Sequence, residues 1–192
     1  MSPNAIVFSD PNCPFCYAIE ERLHRLGLQG AVQWCGVQHA PHLPVPMAPA
    51  DHILREELPA ELRAIRARAP EIAITVPPGK PNTSLAIHYS AAALMADPVA
   101  GRAFVHSLYR ALWIDGADLS DPAILARLAD DAGLTALEAD AAALTVTDGW
   151  QRTWQRTGLG AVPLLVGHDG RLLYGLVDTD ELRAFLAGAP VD

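Results

Sequence analysis

Two cysteines separated by two residues, Cys13 and Cys16, lie directly after a short apolar run and directly before an amphipathic stretch. This order predicts a strand over residues 5–8, a loop, and a helix whose first turn carries Cys13. A helix N-terminus presents unpaired backbone N–H groups and the positive end of the helix dipole, and both favour a thiolate over a thiol. Because the thiolate is the reactive form of cysteine, we expect Cys13 to be an activated nucleophile. Cys16 follows on the same helical face, close enough to form a disulfide with Cys13.

Length and charge narrow the classes of function. A chain of 192 residues is long enough to bury a substantial core and predicts one domain, or one domain with a large insertion. The formal net charge is -8, and the single lysine and the arginines are scattered or interleaved with acids. We therefore expect no nucleic-acid partner and no membrane partner, because both require clustered positive charge.

The N-terminal segment indicates the compartment. It lacks the basic and long apolar regions of a secretory signal, and it begins at Met1 shortly before the first predicted strand. No stretch of the chain approaches the roughly 20 apolar residues that span a bilayer. We expect a cytoplasmic protein, where structural disulfides are rare and a C-x-x-C beside a βα unit indicates redox activity or metal binding. The three cysteines then fit a catalytic pair plus one spare.

The sequence pattern predicts a β-α-β unit followed by a helical block. A helix over 14–26 ends near Gly27, and a strand over 31–37 completes the unit. The proline-rich segment 40–50 is a loop, since proline fits neither a helix interior nor a central strand. The first helix predicted after this loop spans 51–68, with an interruption or kink at Pro59. The second is capped by Asn82 or Thr83 and ends near residue 95. Four more helices are predicted over 99–112, 123–132, 134–144 and 147–157.

The chain then returns to β-structure. Residues 161–167 and 171–175 flank a turn at 168–170 and predict a hairpin. Asp178, with Glu181 three residues later, predicts a capped final helix that ends near residue 187. The order β-α-β, helical block, β-β-α is that of an α/β thioredoxin fold with a large all-helical insertion. We assign 1–50 and 147–192 to the thioredoxin-like domain and 51–146 to the inserted helical domain.

Four segments of the sequence carry a family resemblance: 10–17 around the two cysteines, 81–86, 111–121 and the Val-Pro pair at 162–163. Together they resemble the DsbA-like branch of the thioredoxin superfamily, especially its cytoplasmic FrnE-type members. The resemblance implies a thiol–disulfide oxidoreductase that uses the redox pair Cys13–Cys16 and no bound cofactor. It implies protein or peptide thiols and disulfides as partners, with glutathione as a further candidate co-substrate.

The resemblance also implies which residues meet the substrate. Pro163 is expected to be cis and to lie against the cysteine pair, so that the Val162 backbone pairs with a substrate peptide as an edge strand. The dipeptide Pro14–Phe15 is expected to contact the substrate and to tune the redox potential. Phe15 stands where FrnE-type proteins usually have tryptophan, and Ala161 stands where glycine often precedes Val-Pro.

Two other functions and a metal site are alternatives. Kappa-class glutathione transferases and hydroxychromene-carboxylate isomerases share the fold and usually carry serine at the position of Cys13. A protein with such a function would use Cys13 to hold or attack a small thiol or electrophile. A non-enzymatic redox sensor or partner-binding module is the third hypothesis. A zinc site needs about four ligands, and because only Cys35, His39 and His42 are nearby candidates, we expect no metal.

Several other reactive or polar residues are expected to be structural. Cys35 lies on a predicted buried strand, where a free cysteine behaves as a small hydrophobic residue. His24 is expected to face solvent, and His88 and His106 to serve as packing or surface residues of the helical block. The sequon that begins at Asn82 is interpreted as a helix cap.

Overall fold

The structure is a computed structural model that describes residues 3–188. Residues 1–2 and 189–192, and with them the predicted start at Met1, lie outside the described residues. The elements are β1 (Ala5–Ser9), α1 (Pro14–Arg25), a 3-10 turn (Gln29–Ala31), β2 (Val32–Gly36), α2 (His52–Arg68), α3 (Ser84–Ala96), α4 (Pro98–Trp113), α5 (Pro122–Asp131), α6 (Ala141–Arg156), β3 (Leu164–Gly167), β4 (Leu172–Tyr174) and α7 (Thr179–Leu186). None of the helices in the described range is both long and apolar enough to cross a bilayer.

The four strands form one mixed sheet in the order β2-β1-β3-β4. β1 pairs in parallel with β2, with Val7 opposite Trp34, and antiparallel with β3, with Val7 opposite Leu165. β3 and β4 form the predicted hairpin. This topology, with helices α2 to α6 between the β-α-β and β-β-α parts, confirms the thioredoxin fold with a helical insertion.

Both faces of the sheet are buried. Successive side chains of a strand point to opposite faces, so Val7 and Phe8 of β1 enter different layers. Val7 packs in the main core with α1, α7 and the inserted helices, whereas Phe8 packs with Leu164, Cys35 and Trp154 of α6. Since fully burying one such side chain contributes about 1.5–3 kcal/mol, these layers fix β1, and the loop that follows it, from both sides.

Helix α1 also buries charged residues. Pro14 occupies its first position, where the missing N–H costs no hydrogen bond. Glu20 and Glu21 are nearly inaccessible and pair with Arg102 and Arg110 of α4, at 2.9 and 3.1 Å. Arg22 is also buried, and its guanidinium Nε contacts the Glu71 carboxylate at 2.9 Å. The insertion therefore docks onto the helix that begins with the cysteine pair.

The region after α5 corrects the sequence prediction. The predicted helix over 134–144 is wrong, and the helix predicted over 147–157 begins earlier, because the chain forms a loop and then one continuous helix, α6. Gly133 ends α5 with a positive φ of 82°, and Ala136 adopts a φ of 55°, which is incompatible with a right-handed helix. Asp140 then caps α6 by accepting the N–H of Ala143 at 2.8 Å. The domain division at residue 147, which falls within α6, stays a prediction.

Two other helix predictions were refined. Pro59 lies inside α2, which continues from His52 to Arg68. At the start of α3, the side chain of Asn82 accepts the N–H of Ser84 at 3.0 Å, while the hydroxyl of Thr83 bonds elsewhere, to Asp10.

Candidate active site

The structure places Cys13 at the N-cap of α1 and Cys16 in the first turn of that helix. Cys13, Cys16 and Cys35 are free thiols. Cys13 is 5% exposed and Cys16 1%, so the first cysteine is the one nearer to solvent. The sequence predicts Cys13 in the first turn of this helix, and the structure places it at the N-cap directly before that turn.

The two thiols differ in acidity. A hydrogen bond from Cys16 lowers the pKa of Cys13, although burial opposes the shift. Burial raises the pKa of Cys16 well above its ordinary value, and its hydrogen bond to Cys13 raises it further. Cys13 is therefore the thiol that ionises first, and Cys16 is the proton donor that stabilises its thiolate.

Asp10, in the loop between β1 and α1, has a fully buried carboxylate. Its Oδ1 accepts the backbone N–H of Asn12 at 3.2 Å and the hydroxyl of Thr83 at 2.7 Å. Its Oδ2 accepts the backbone N–H of His39 at 2.9 Å and contacts the ring Nδ1 of His39 at 2.7 Å. Since an ionised carboxylate only accepts hydrogen bonds, four donors around it satisfy the charged form.

The backbone of Asp10 also contacts both cysteines. Its carbonyl oxygen accepts the N–H of Cys13 at 3.0 Å, and its own N–H donates to Sγ of Cys16 at 3.5 Å. The acid of the segment before the cysteines is thus part of the site. In the sequence, Asp10 contributes only to the family resemblance, and its position three residues before Cys13 is the signal that could have identified it.

The sequence offers His39 only as a candidate metal ligand. In the structure it lies beside Asp10, with its side chain about a quarter exposed. Burial disfavours the charged ring, but the hydrogen bond and charge of Asp10 outweigh this and raise the pKa of His39. Within the described residues, no group of three or more His, Cys, Asp or Glu side chains is arranged to hold a metal ion.

A second polar network lies behind Cys16. The hydroxyls of Ser9 and Tyr109 are 2.5 Å apart, and the indole Nε1 of Trp34 donates to the Tyr109 oxygen at 3.3 Å. The Ser9 hydroxyl also forms a hydrogen bond with Cys16 that opposes the rise in its pKa. Cys16 is thus held in a polar environment inside the core, and the sequence pattern gave no sign of this network.

Of the predicted substrate-binding residues, Val162 lies against Cys13 in the structure. The Val162–Pro163 peptide bond is cis. Sγ of Cys13 lies 3.7 Å from the carbonyl oxygen of Val162, toward which the thiol can donate. Pro14 is buried, and Phe15 is partly buried against the main core. Their roles in binding a substrate stay predictions.

The remaining candidates lie away from this site or at its margin. Burial raises the pKa of Cys35, on β2, to about 12. His24 is exposed and stacks on His106, with 3.9 Å between ring centroids. His88 is partly buried on α3, and His42 is exposed in the proline-rich loop.

A comparison with protein families agrees with this geometry. The model of the DSBA-like thioredoxin domain matches residues 5–187, nearly the whole chain. The chain belongs to the DSBA-like thioredoxin domain family. The DsbA-like resemblance found in the sequence is therefore confirmed, and membership of its FrnE-type branch stays a prediction.

Solved structures of the same fold include members with different activities. A candidate protein disulfide isomerase from Nitrosomonas europaea has a TM-score of 0.75 and 17% identity, covering 96% of this chain and 97% of its own. The cytosolic disulfide reductase DsbM from Pseudomonas aeruginosa, in a structure with GSH, has a TM-score of 0.67 and 20% identity over 96% and 97%. A 2-hydroxychromene-2-carboxylate isomerase has a TM-score of 0.67 and 15% identity over 96% and 93%. At these identities the likeness shows the fold alone. No curated protein sequence matches the chain.

Proposed function

We propose that the protein is a thiol–disulfide oxidoreductase in which Cys13 is the nucleophile and Cys16 the resolving cysteine. The observation that carries this proposal is the opposite shift of the two thiols, a lowered pKa at Cys13 and a raised pKa at Cys16. A pair with this asymmetry has one thiolate ready to attack and one protonated thiol in reserve.

The proposed reaction has two exchange steps. The Cys13 thiolate attacks a substrate disulfide, forms a mixed disulfide and releases one substrate thiolate. Cys16 then attacks Sγ of Cys13, so that the Cys13–Cys16 disulfide forms and the second substrate thiolate leaves, taking up the proton of Cys16. The substrate disulfide is reduced to two thiols and the protein dithiol is oxidised, and the reverse sequence forms a disulfide in the substrate.

The substrates that we propose are protein or peptide thiols and disulfides in the cytoplasm. The proposed contacts with the substrate are made by Pro14, by Phe15 and by the backbone of Val162 before Pro163. Pro14 and Phe15 follow Cys13 in the first turn of α1, and the carbonyl of Val162 lies beside the Cys13 thiol. Glutathione is the proposed recycling thiol, in keeping with the DsbM structure, which was obtained with GSH. Two molecules of reduced glutathione would convert the Cys13–Cys16 disulfide back to the dithiol and leave as glutathione disulfide.

Reduction of insulin by the protein in the presence of glutathione tests the proposal. We expect turnover by the wild type, complete loss in Cys13→Ser, and a trapped mixed disulfide on Cys13 in Cys16→Ser, detectable by mass spectrometry. Cys35→Ala, which changes a buried thiol away from the pair, is the matched control and should retain activity. Full activity of Cys13→Ser would refute the assignment.

A glutathione-dependent transferase or isomerase is the second candidate. The observation that favours it is the shared fold with a 2-hydroxychromene-2-carboxylate isomerase. Such a reaction needs only Cys13, because no dithiol is oxidised. Turnover of a glutathione conjugate that is unaffected by Cys16→Ser, together with no reduction of insulin, would favour this candidate. A reversible Cys13–Cys16 disulfide without either turnover would favour a redox sensor.

A further inference from the structure

The contact between Asp10 and His39 joins two charged groups beside the cysteine pair. The carboxylate of Asp10 is inaccessible to solvent, and Oδ2 is 2.7 Å from Nδ1 of the His39 ring. The backbone N–H of His39 donates to the same oxygen, so the imidazole is fixed both through its ring and through its main chain. Such a doubly held ring keeps one orientation.

The same aspartate fixes the position of the thiols. Its main chain bonds the N–H of Cys13 and Sγ of Cys16, so the carboxylate and the cysteines belong to one short rigid segment. A buried negative charge there opposes a second negative charge on Cys13, and the charge of Asp10 does act to raise the pKa of that thiol. The positive charge of His39 acts in the opposite direction. The thiolate therefore needs the histidine to offset the aspartate.

The charged groups that act on His39 come from two parts of the chain. Asp10 and Cys13 face it from the β1–α1 segment and favour the charged ring, whereas Lys80, from the loop before α3, opposes it. Lys80 is itself paired with Glu61 of α2 at 3.2 Å, which weakens its repulsion of the ring.

We propose that His39, held by Asp10, is a positioning residue that stabilises the Cys13 thiolate as an imidazolium and thereby sets the pH range in which Cys13 reacts. The charge of the ring attracts the Cys13 thiolate, so the Cys13 thiol loses its proton to solvent more readily while His39 is protonated. Nδ1 of the ring stays 2.7 Å from Oδ2 of Asp10, and nothing is oxidised. The attack of this thiolate on a disulfide rests on the proposed function. The formation of the thiolate does not depend on that function.

The test is the pH dependence of iodoacetamide alkylation of the reduced protein, with Cys13 quantified by peptide mapping. Alkylation needs no disulfide substrate and reports the thiolate fraction directly. In His39→Gln, which retains a donor for Asp10, we expect the alkylation rate at pH about 5.5 to fall about three- to tenfold. At pH about 9, where the ring of the wild type is largely neutral, the two rates should converge.

His42→Gln is the matched control, because His42 is exposed and lies three residues later in the same loop. Its alkylation profile should coincide with that of the wild type. A His39→Gln profile that also coincides with the wild type would overturn this inference and leave the proposed oxidoreductase function intact. The expected shift in alkylation, without any reduction of insulin, would support the role of His39 and refute the proposed function.

Discussion

The indole Nε1 of Trp113 donates a hydrogen bond of 2.9 Å to the carbonyl oxygen of Pro11. Trp113 is the last residue of α4, in the helical insertion, and Pro11 lies in the loop that leads to Cys13. The amide of Asn12 adds a second link, by donating to the carbonyl of Pro81 at 3.1 Å. The inserted helices therefore hold the main chain of the loop that carries the redox pair, in addition to covering the sheet.

Replacement of Trp113 by phenylalanine should destabilise the protein. The substitution leaves the Pro11 carbonyl buried without its indole donor, for which we expect a cost of about 1–3 kcal/mol in the free energy of unfolding. Urea denaturation measures this directly. Trp150→Phe is a suitable control, because Trp150 is only partly buried and lies on α6. Equal effects of the two substitutions would argue against a special role for the Trp113–Pro11 bond.

Loss of the Ser9 hydroxyl should slow the second exchange step. Burial raises the pKa of Cys16, and the hydrogen bond with Ser9 opposes that rise. In Ser9→Ala, Cys16 should be a poorer attacking thiolate by about fivefold, the equivalent of one hydrogen bond of about 1 kcal/mol. The mixed disulfide on Cys13 should then persist longer in quenched-flow mass spectrometry. Ser90→Ala changes another buried serine, which bonds within α3, and should leave that lifetime unaltered.

Cys35 should be inert in the folded protein. Its thiol is 2% exposed, and burial raises its pKa to about 12, so very little thiolate forms near neutral pH. We expect iodoacetamide to label Cys13 in the native reduced protein and Cys35 only after denaturation. Peptide mapping after a short pulse of reagent distinguishes the two. Rapid labelling of Cys35 in the native protein would contradict this prediction.

The sequence predicted the parts of the site that depend on neighbouring residues. The apolar run of β1, the two-residue cysteine spacing and the amphipathic helix α1 are local signals, and together they place Cys13 at a helix N-terminus. The Asp178 cap of α7 is equally local, and its side chain does accept the N–H of Glu181 at 2.8 Å. The Val162–Pro163 position came from the family resemblance.

The partners of Asp10 could not be predicted in the same way. Thr83 is 73 residues away in sequence and His39 is 29. The Thr83 contact depends on how the insertion docks, and the His39 contact depends on how the loop after β2 packs against the segment before α1. Neither is a local signal, so the sequence offers His39 only as a possible metal ligand. The helix wrongly predicted over 134–144 has a related cause, because its apolar pattern is compatible with a helix while the backbone at Ala136 is left-handed.

Removal of the cap at Asp140 should destabilise α6. The Asp140 side chain accepts the N–H of Ala143 at the point where the helix begins. Asp140→Ala should lower the free energy of unfolding by about 1 kcal/mol, within the usual range of about 0.5–2 kcal/mol for an N-cap. Asp148→Ala, at an exposed position in the same helix, is the control in urea denaturation. If the two variants unfold alike, the cap does not determine where α6 starts.

The contact between Asp10 and His39 should also make stability depend on pH. The pKa of His39 is raised in the folded state, because the hydrogen bond and charge of Asp10 outweigh burial. The stabilisation from this shift is fully present below the pKa of an unfolded histidine, about 6.5, and is lost as the pH rises through the higher folded value.

Urea denaturation from pH about 5 to about 9 checks this prediction. The two proteins compared are Cys13→Ser and Cys13→Ser/His39→Gln, because the serine removes any contribution from the Cys13 thiolate. The difference in free energy of unfolding between the two proteins should be greatest at the acid end and should shrink with rising pH. His42→Gln in the same background should show no such trend, because it leaves the Asp10–His39 contact in place. A difference that grows with pH would mean that His39 is stabilised as the neutral ring, since only a lowered pKa gives that sign.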